Sequence, residues 1–178
     1  MRILVSQEQL QQGIRRMADA IGQHYAGRPL TLVGVMVGSI TLVADLIRLL
    51  DMPLRVELVQ SRNGRFRDRP GPLAIDLSLL SSSVRDREVL LVDDIFVTGQ
   101  TLWELVPQID ELGSASVRTA VLLRKQGRRK FPLDPDFVGF EIPDVFVVGY
   151  GLDYQDRFRH LPYIAELEPA ELGGEPAK

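Results

Sequence analysis

One segment, residues 89–102, limits the possible folds of this chain more than any other: Val-Leu-Leu-Val-Asp-Asp-Ile-Phe-Val-Thr-Gly-Gln-Thr-Leu. Its first four residues are apolar and include β-branched side chains, which predicts a strand buried on both faces. Two carboxylates, Asp93 and Asp94, follow the strand, and residues 98–101 form a turn that opens a helix. A strand, a turn and a helix in this order indicate an α/β fold.

The same segment suggests a ligand. A helix N-terminus presents backbone N–H groups to an anion, so the turn is a candidate phosphate site. The two carboxylates next to it could hold vicinal hydroxyls, either directly or through a metal ion. Taken alone, paired carboxylates at a strand end are more often solvated or cap a helix. A phosphate turn beside them favours a phosphorylated sugar.

Alternating strand and helix patterns continue along the chain and predict an open, mostly parallel sheet with helices on both faces. The clearest helix has Leu10, Ile14, Met17 and Ile21 on one face, with Ser6 as its N-cap. Helices are predicted over residues 7–25, 41–50 and 101–112, and strands over residues 30–36, 54–59, 89–92, 117–123, 137–140 and 145–148. In such a sheet the ligand lies beyond the carboxyl ends of the strands.

The remaining segments complete one domain over residues 1–168. Residues 61–72 contain four arginines together with Gly and Pro, which predicts a flexible loop that could act as a lid. Residues 73–79 could form a short strand or hairpin arm. Residues 169–178 are rich in Glu, Gly and Pro and are expected to be a disordered tail.

Composition excludes several classes of protein. The chain has 178 residues, a formal net charge of −3 and no cysteine. The acidic balance argues against a general nucleic-acid binder, although the arginine-rich loop leaves RNA binding open. The absence of cysteine excludes disulfides and fits a cytoplasmic protein. No segment has the uninterrupted apolar length of a membrane span, so no membrane role is expected.

The C-terminal third carries a specific resemblance. Residues 122–125 read Leu-Leu-Arg-Lys, residues 137–144 read Phe-Val-Gly-Phe-Glu-Ile-Pro-Asp, and residues 145–154 read Val-Phe-Val-Val-Gly-Tyr-Gly-Leu-Asp-Tyr. Together with residues 89–102 and 157–163, they resemble the hypoxanthine (hypoxanthine-guanine) phosphoribosyltransferases over roughly residues 3–167. The resemblance implies a type I phosphoribosyltransferase fold with a small C-terminal hood. It also implies a homodimer or homotetramer that joins hypoxanthine or guanine to phosphoribosyl pyrophosphate (PRPP) with Mg²⁺.

The resemblance also implies roles for particular residues. Asp93 and Asp94 would hold the ribose hydroxyls, directly or through metal, and Asp94 would support catalysis. Lys125 would contact the 6-oxo group, Phe146 would stack on the base, and the Val147 backbone would bind its edge. The 5′-phosphate would be bound by Thr98, Gly99, Gln100 and Thr101. Pyrophosphate would be bound by Val37, Gly38 and Arg159, and the metal by Asp93, Asp94 and Asp153.

Three positions depart from the family pattern. Val97 stands where these enzymes carry an aspartate that acts as general base on the purine ring, and valine can accept no proton. Val37 replaces a Lys or Arg ahead of Gly38, in a loop that binds pyrophosphate largely through its backbone. Ser61-Arg62 replaces the usual Ser-Tyr of the lid.

Two functions therefore stay open. One is a purine-salvage transferase with changed efficiency or base preference, including one whose base needs no deprotonation by the protein. The other is a regulatory or catalytically impaired homologue that binds PRPP or a nucleotide without turnover. Outside the site, Trp103 is expected to pack its helix onto the sheet. The basic residues around Lys125 are expected to form a solvated loop.

Overall fold

The computed structural model describes residues 1–60, 80–168 and 170–171. The predicted lid (61–72), the possible hairpin arm (73–79), the Ser61-Arg62 departure and most of the predicted tail lie outside these residues. The described elements, in chain order, are β1 (Arg2–Val5), α1 (Gln7–Tyr25), β2 (Leu30–Met36), α2 (Ile40–Leu49), β3 (Leu54–Gln60), α3 (Ser81–Val84), β4 (Glu88–Phe96), α4 (Gln100–Asp110), β5 (Ser116–Lys125), β6 (Phe137–Ile142), β7 (Val147–Val148) and β8 (Ile164–Glu166).

Among the described residues, the main sheet has five strands in the order β3-β2-β4-β5-β6, and every neighbouring pair is parallel. The strand of the acidic segment, β4, lies at its centre. Val89, Leu90, Leu91 and Val92 are all fully buried, as expected for a strand covered on both faces. The predicted fold class is thereby confirmed.

Helices cover both faces of this sheet. On one face α1 and α2 pack against alternate strand residues such as Leu32 and Leu90. On the other face α4 packs Leu102, Leu105 and Ile109 against the intervening residues of the strands. The alternation follows from the two-residue period of a strand, which sends successive side chains to opposite faces.

The first helix begins and ends where its sequence predicts. The Ser6 hydroxyl accepts a hydrogen bond from the Gln9 backbone N–H, and the Gln9 side chain accepts one from the Ser6 N–H. This capping box satisfies two N–H groups that the helix cannot pair internally. Within the helix, Gly13 lies against the ring of Phe140, where a β-carbon would be 2.1 Å from Cζ. The glycine therefore lets α1 approach β6 closely.

A second, smaller sheet forms the hood. It is antiparallel in the order β1-β8-β7, so it joins the first described strand of the chain to the last. Arg2 is paired with Glu166 across it, and the two side chains form an ion pair at 2.6 Å. The hood predicted by resemblance is present, built from both ends of the domain.

The predicted position of Trp103 is wrong. We expected its ring to pack α4 onto the sheet, but the residue is 42% exposed. Leu102, Leu105 and Ile109 define the buried face of α4. One residue turns a helix by about 100°, so Trp103 points away from the face that Leu102 occupies. Its ring instead contacts Phe131, with centroids 6.4 Å apart.

The described residues contain no helix long and apolar enough to cross a membrane.

Candidate active site

Most of the residues predicted to bind ligand lie at the carboxyl edge of the main sheet, in the last residues of β4 and β5 and in the segments that follow β2 and β4. The strands β2, β4 and β5 are adjacent in the sheet. Parallel neighbours end at the same edge, so residues far apart in sequence meet there. The hood adds Phe146, Val147 and the segment around Asp153.

The loop after β2 contacts the last residues of β4, at Gly38 and Asp94. A β-carbon on Gly38 would lie 1.6 Å from Asp94 Oδ2, so only glycine leaves space for this carboxylate. The hood reaches the same place, because a β-carbon on Gly151 would lie 2.4 Å from the Gly38 carbonyl oxygen. Val37, beside Gly38, is 43% exposed.

The two acids have different surroundings. Asp93 is buried, with 7% of its surface exposed, and its Oδ1 accepts a hydrogen bond from the Asp94 N–H at 2.9 Å. Asp94 is half-buried and lies near the carboxyl end of the central strand β4. The strand continues through both residues to Phe96 because β4 keeps its pairing with β5 as far as Arg124.

The predicted phosphate turn leads directly into α4. Gly99 precedes the helix with a φ of +89°, a conformation that favours glycine. The Thr98 hydroxyl accepts a weak hydrogen bond from the Gln100 N–H at 3.3 Å. Gln100 is exposed, and Thr98 and Thr101 are half-buried. Backbone N–H groups at the start of α4 are thus available to an anion.

A second loop holds this turn, a contact that sequence reasoning missed. The Thr98 carbonyl accepts hydrogen bonds from the backbone N–H groups of Lys130 and Phe131, at 3.0 and 3.2 Å. The Phe131 ring also contacts Trp103 on α4. The basic segment after β5 is therefore packed against the phosphate turn, rather than being only a solvated loop.

Val97 is half-buried and lies between the buried Phe96 and the turn. Its side chain contains only carbon and hydrogen, so it can accept no proton and make no hydrogen bond. The position that resemblance assigns to a general base is therefore apolar in this chain.

Lys125 ends β5 and is linked to the turn that follows β6. Its ammonium lies 3.6 Å from Asp144 Oδ1, and its side chain is only 14% exposed. The other oxygen of Asp144 lies 2.5 Å from Arg128 Nε. The hydrogen bond from Arg128 is the main reason that the pKa of Asp144 is held below its usual range. The carboxylate is thus shared by two cations.

Phe146 and Val147 connect that turn to the hood. Phe146 is 40% exposed, and its ring forms an edge-to-face pair with the Tyr154 ring, with centroids 5.4 Å apart. An exposed aromatic face at a ligand site is suited to stacking. Val147 is buried and pairs with Glu166 in the hood sheet.

Asp153 and Arg159 are paired with each other, 2.7 Å apart. Asp153 also accepts a hydrogen bond from the Asp156 N–H at 2.9 Å, and Arg159 donates to the Gly151 carbonyl at 2.6 Å. Across the described residues, no three His, Asp or Glu side chains lie close enough to hold a metal ion by themselves. Asp93, Asp94 and Asp153 therefore do not form a preformed three-carboxylate cage.

A groove of about 690 Å³ lies on the other side of Arg159. It is bounded by α1, α2 and residues 159–162, with Thr41, Asp45 and Tyr150 in its walls. The Tyr150 hydroxyl donates to Asp45, and burial raises its pKa, with the hydrogen bond to Asp45 as the second cause. This groove contains none of the acidic pair, the phosphate turn or Lys125.

A doubly covered parallel sheet with an acidic pair and a phosphate turn at its carboxyl edge defines a class of α/β proteins that bind phosphorylated ligands. A family model described as "Phosphoribosyl transferase domain" matches residues 4–155. The hypoxanthine-guanine phosphoribosyltransferase of Bacillus subtilis is 36% identical over 170 residues, covering 95% of this chain and 94% of its own.

Solved structures agree with the sequence comparison. A hypoxanthine phosphoribosyltransferase from Staphylococcus aureus aligns with a TM-score of 0.86 and 34% identity, covering 96% of this chain and 92% of its own. The alanine mutant from "analysis of an invariant aspartic acid in HPRTs" aligns with a TM-score of 0.84 and 32% identity, covering 96% of each chain. The chain belongs to the hypoxanthine-guanine phosphoribosyltransferase family.

Proposed function

We propose that this protein transfers the phosphoribosyl group of PRPP to hypoxanthine or guanine and releases pyrophosphate, a purine-salvage reaction. One arrangement carries the proposal: the acidic pair, the phosphate turn, Lys125 and Phe146 all lie at one edge of the sheet. This edge offers groups suited to each part of the two substrates. Membership of the family supports the same reaction.

The phosphoribosyl part would be held at the end of β4. Asp93 and Asp94 would bind the ribose hydroxyls, while Thr98, Gly99, Gln100 and Thr101 would bind the 5′-phosphate. Gly38, Val37 and Arg159 lie on the side toward the hood and would bind pyrophosphate. The reaction breaks the bond from ribose C1 to pyrophosphate and forms one to a purine nitrogen, so it needs positioning and charge stabilisation rather than a protein nucleophile.

The purine would lie between Phe146 and Lys125. The Lys125 ammonium can only donate hydrogen bonds, so it suits the 6-oxo group of hypoxanthine and guanine and not the 6-amino group of adenine. The Val147 backbone would bind the edge of the base. Val97 would face the purine ring but could not accept the proton of its ring nitrogen. This proton would therefore leave to water or to another acceptor.

Mg²⁺ is the cofactor that we propose. The donor set fits it, since Mg²⁺ is usually held by one or two carboxylates together with substrate phosphates and water. Asp93 and Asp94 would supply the carboxylates at β4, and Asp153 would contribute near the pyrophosphate. When bound, the ion would neutralise charge on the pyrophosphate as it leaves.

The test is nucleotide formation from PRPP and Mg²⁺ with hypoxanthine, guanine, xanthine and adenine, followed by chromatography. We expect product with the first two bases and a loss of at least about 10²-fold in Asp94→Asn. Asp19→Asn, an exposed position on α1 far from the site, is the matched control and should keep full activity. Binding of PRPP without product from any base would instead support the second candidate, a regulatory homologue without turnover. Failure to bind PRPP would overturn both.

We also propose a cytoplasmic homodimer or homotetramer. Four exposed apolar side chains on two elements support self-association, since exposed apolar groups are where protein–protein contacts form. They are Ile40 and Ile47 on α2 and Val56 and Leu58 on the edge strand β3. Light scattering on the purified protein measures the oligomeric state, and a monomer at micromolar concentration would contradict this proposal.

A further inference from the structure

The carboxylate of Asp144 connects two parts of the proposed base site. Asp144 follows β6 and lies two residues before Phe146, the proposed stacking residue. One of its oxygens faces the Lys125 ammonium at 3.6 Å, and the other contacts Arg128 at 2.5 Å. We propose that Asp144 is a positioning residue that holds Lys125 for the 6-oxo group, and that Arg128 holds Asp144 in turn. This inference rests on the proposed function and adds two residues to the determinants of base specificity.

The backbone around these residues fixes the geometry of the ion pairs. Lys125 pairs with Ile142 at the end of the β5–β6 ladder. The Gln126 N–H donates to the Ile142 carbonyl at 3.0 Å, and the Val145 N–H donates to the Pro143 carbonyl at 2.9 Å. The backbone at Lys125 and at Asp144 is therefore held in place, and the ion pair orders only the charged ends of the two side chains.

Ordering the end of Lys125 matters because a lysine side chain has a flexible four-carbon stem and loses much conformational freedom when its ammonium binds a ligand. A carboxylate that already restrains the ammonium lowers that cost when the base binds. Arg128 matters for a different reason. Its planar guanidinium occupies one oxygen of Asp144, which leaves the other oxygen directed at Lys125.

The arrangement predicts an effect confined to the base. In Asp144→Asn the amide keeps the shape of the side chain but loses its charge, so the Lys125 ammonium is no longer restrained. We expect KM for hypoxanthine and guanine to rise about 3- to 10-fold, while KM for PRPP stays unchanged. The preference for 6-oxopurines over adenine should fall by the same factor.

Matched variants separate positioning from folding. Asp134→Asn removes a carboxylate of the loop before β6, one that pairs with Arg124 and Arg129 and not with Lys125. It should leave both KM values and base preference unchanged. Asp144→Glu, which keeps the charge, should recover part of the lost preference. Arg128→Gln should lower the preference in the same direction as Asp144→Asn.

Product binding keeps the test independent of turnover. The ratio of GMP to AMP affinity, measured by calorimetry, should fall about 3- to 10-fold in Asp144→Asn even if the wild-type protein forms no nucleotide. An unchanged ratio would overturn the role of Asp144. Equal rises in KM for PRPP and for the base would also overturn it, because a loss of structure alone would affect both substrates.

Discussion

Restoring an aspartate at position 97 tests the most consequential departure in this chain. The resemblance implies a general base there. The structure should tolerate Val97→Asp, because Val97 is half-buried and the introduced carboxylate could reach water. Position 97 also lies two residues before Gly99, the N-cap residue of α4. A negative charge near a helix N-terminus is stabilising by about 0.3–1 kcal/mol, so the free energy of unfolding should change little.

The expected gain follows from what the missing group does. General acid–base catalysis contributes about 10²–10⁴ in rate when the group is well positioned. An introduced carboxylate without evolved supporting contacts should reach the lower end, so we expect kcat with hypoxanthine to rise about 10²-fold. That gain corresponds to about 2.7 kcal/mol of transition-state stabilisation.

The assay compares three proteins at saturating PRPP and Mg²⁺: wild type, Val97→Asp and Val97→Asn. Asparagine has nearly the size of aspartate and is polar, but it cannot accept the proton, so it separates proton transfer from polarity. Only the aspartate variant should gain rate. Equal gains in both variants, or no gain in either, would show that proton acceptance at position 97 does not limit this enzyme.

Three further perturbations test the geometry of the fold and site. Gly38→Ala would place a β-carbon 1.6 Å from Asp94 Oδ2, and the Asp94 carboxylate would rotate to relieve the clash. The free energy of unfolding should therefore stay nearly unchanged, while the affinity for PRPP, measured by calorimetry, should fall at least about 10-fold. Gly13→Ala would place a β-carbon against an aromatic ring of β6 and should lower the free energy of unfolding in urea by up to about 2 kcal/mol. Its control, Gly22→Ala, has nothing within 4 Å and should stabilise α1 by about 1 kcal/mol. Burial, and then a carboxylate hydrogen bond, raise the pKa of Tyr150, so above about pH 10 the unfolded chain loses this proton while the folded chain keeps it. The free energy of unfolding should then fall by up to about 1.4 kcal/mol per pH unit for this group, and Tyr150→Phe should remove that part of the slope.

Local signals in the sequence predicted the three long helices and the strands of the main sheet, whereas β1, α3 and β8 were not predicted. The capping box at Ser6 and the apolar period of α1 gave both of its ends, residues 7 and 25, without error. The bounds of β4 were predicted too short, because the polar residues Asp93 and Asp94 suggested that the strand had ended. In the structure it runs to Phe96, since pairing with β5 continues through these acids. Whether a polar residue belongs to a strand depends on pairing with the neighbouring strand, and the sequence of one segment does not show that pairing.

Contacts between segments distant in the chain were much harder to predict from the sequence. The chain near Lys125 is basic in sequence, and only the adjacency of β5 and β6 brings Asp144 beside it. The bonds from Lys130 and Phe131 to the phosphate turn use backbone N–H groups, which carry no sequence signature. Trp103 shows the same limit, because its direction depends on which face of α4 the sheet covers.

The hood has a consequence for the order in which the domain becomes functional. Its sheet pairs β1 with β8, and the Arg2–Glu166 pair joins residues 164 positions apart. Contacts so distant in sequence close late, because ordering the intervening chain must come first. During synthesis the central sheet can therefore form before residues 164–166 emerge, while β7, next to the proposed stacking residue Phe146, still lacks its partner strand. A nascent chain at this stage would have its phosphate turn but an incomplete base site.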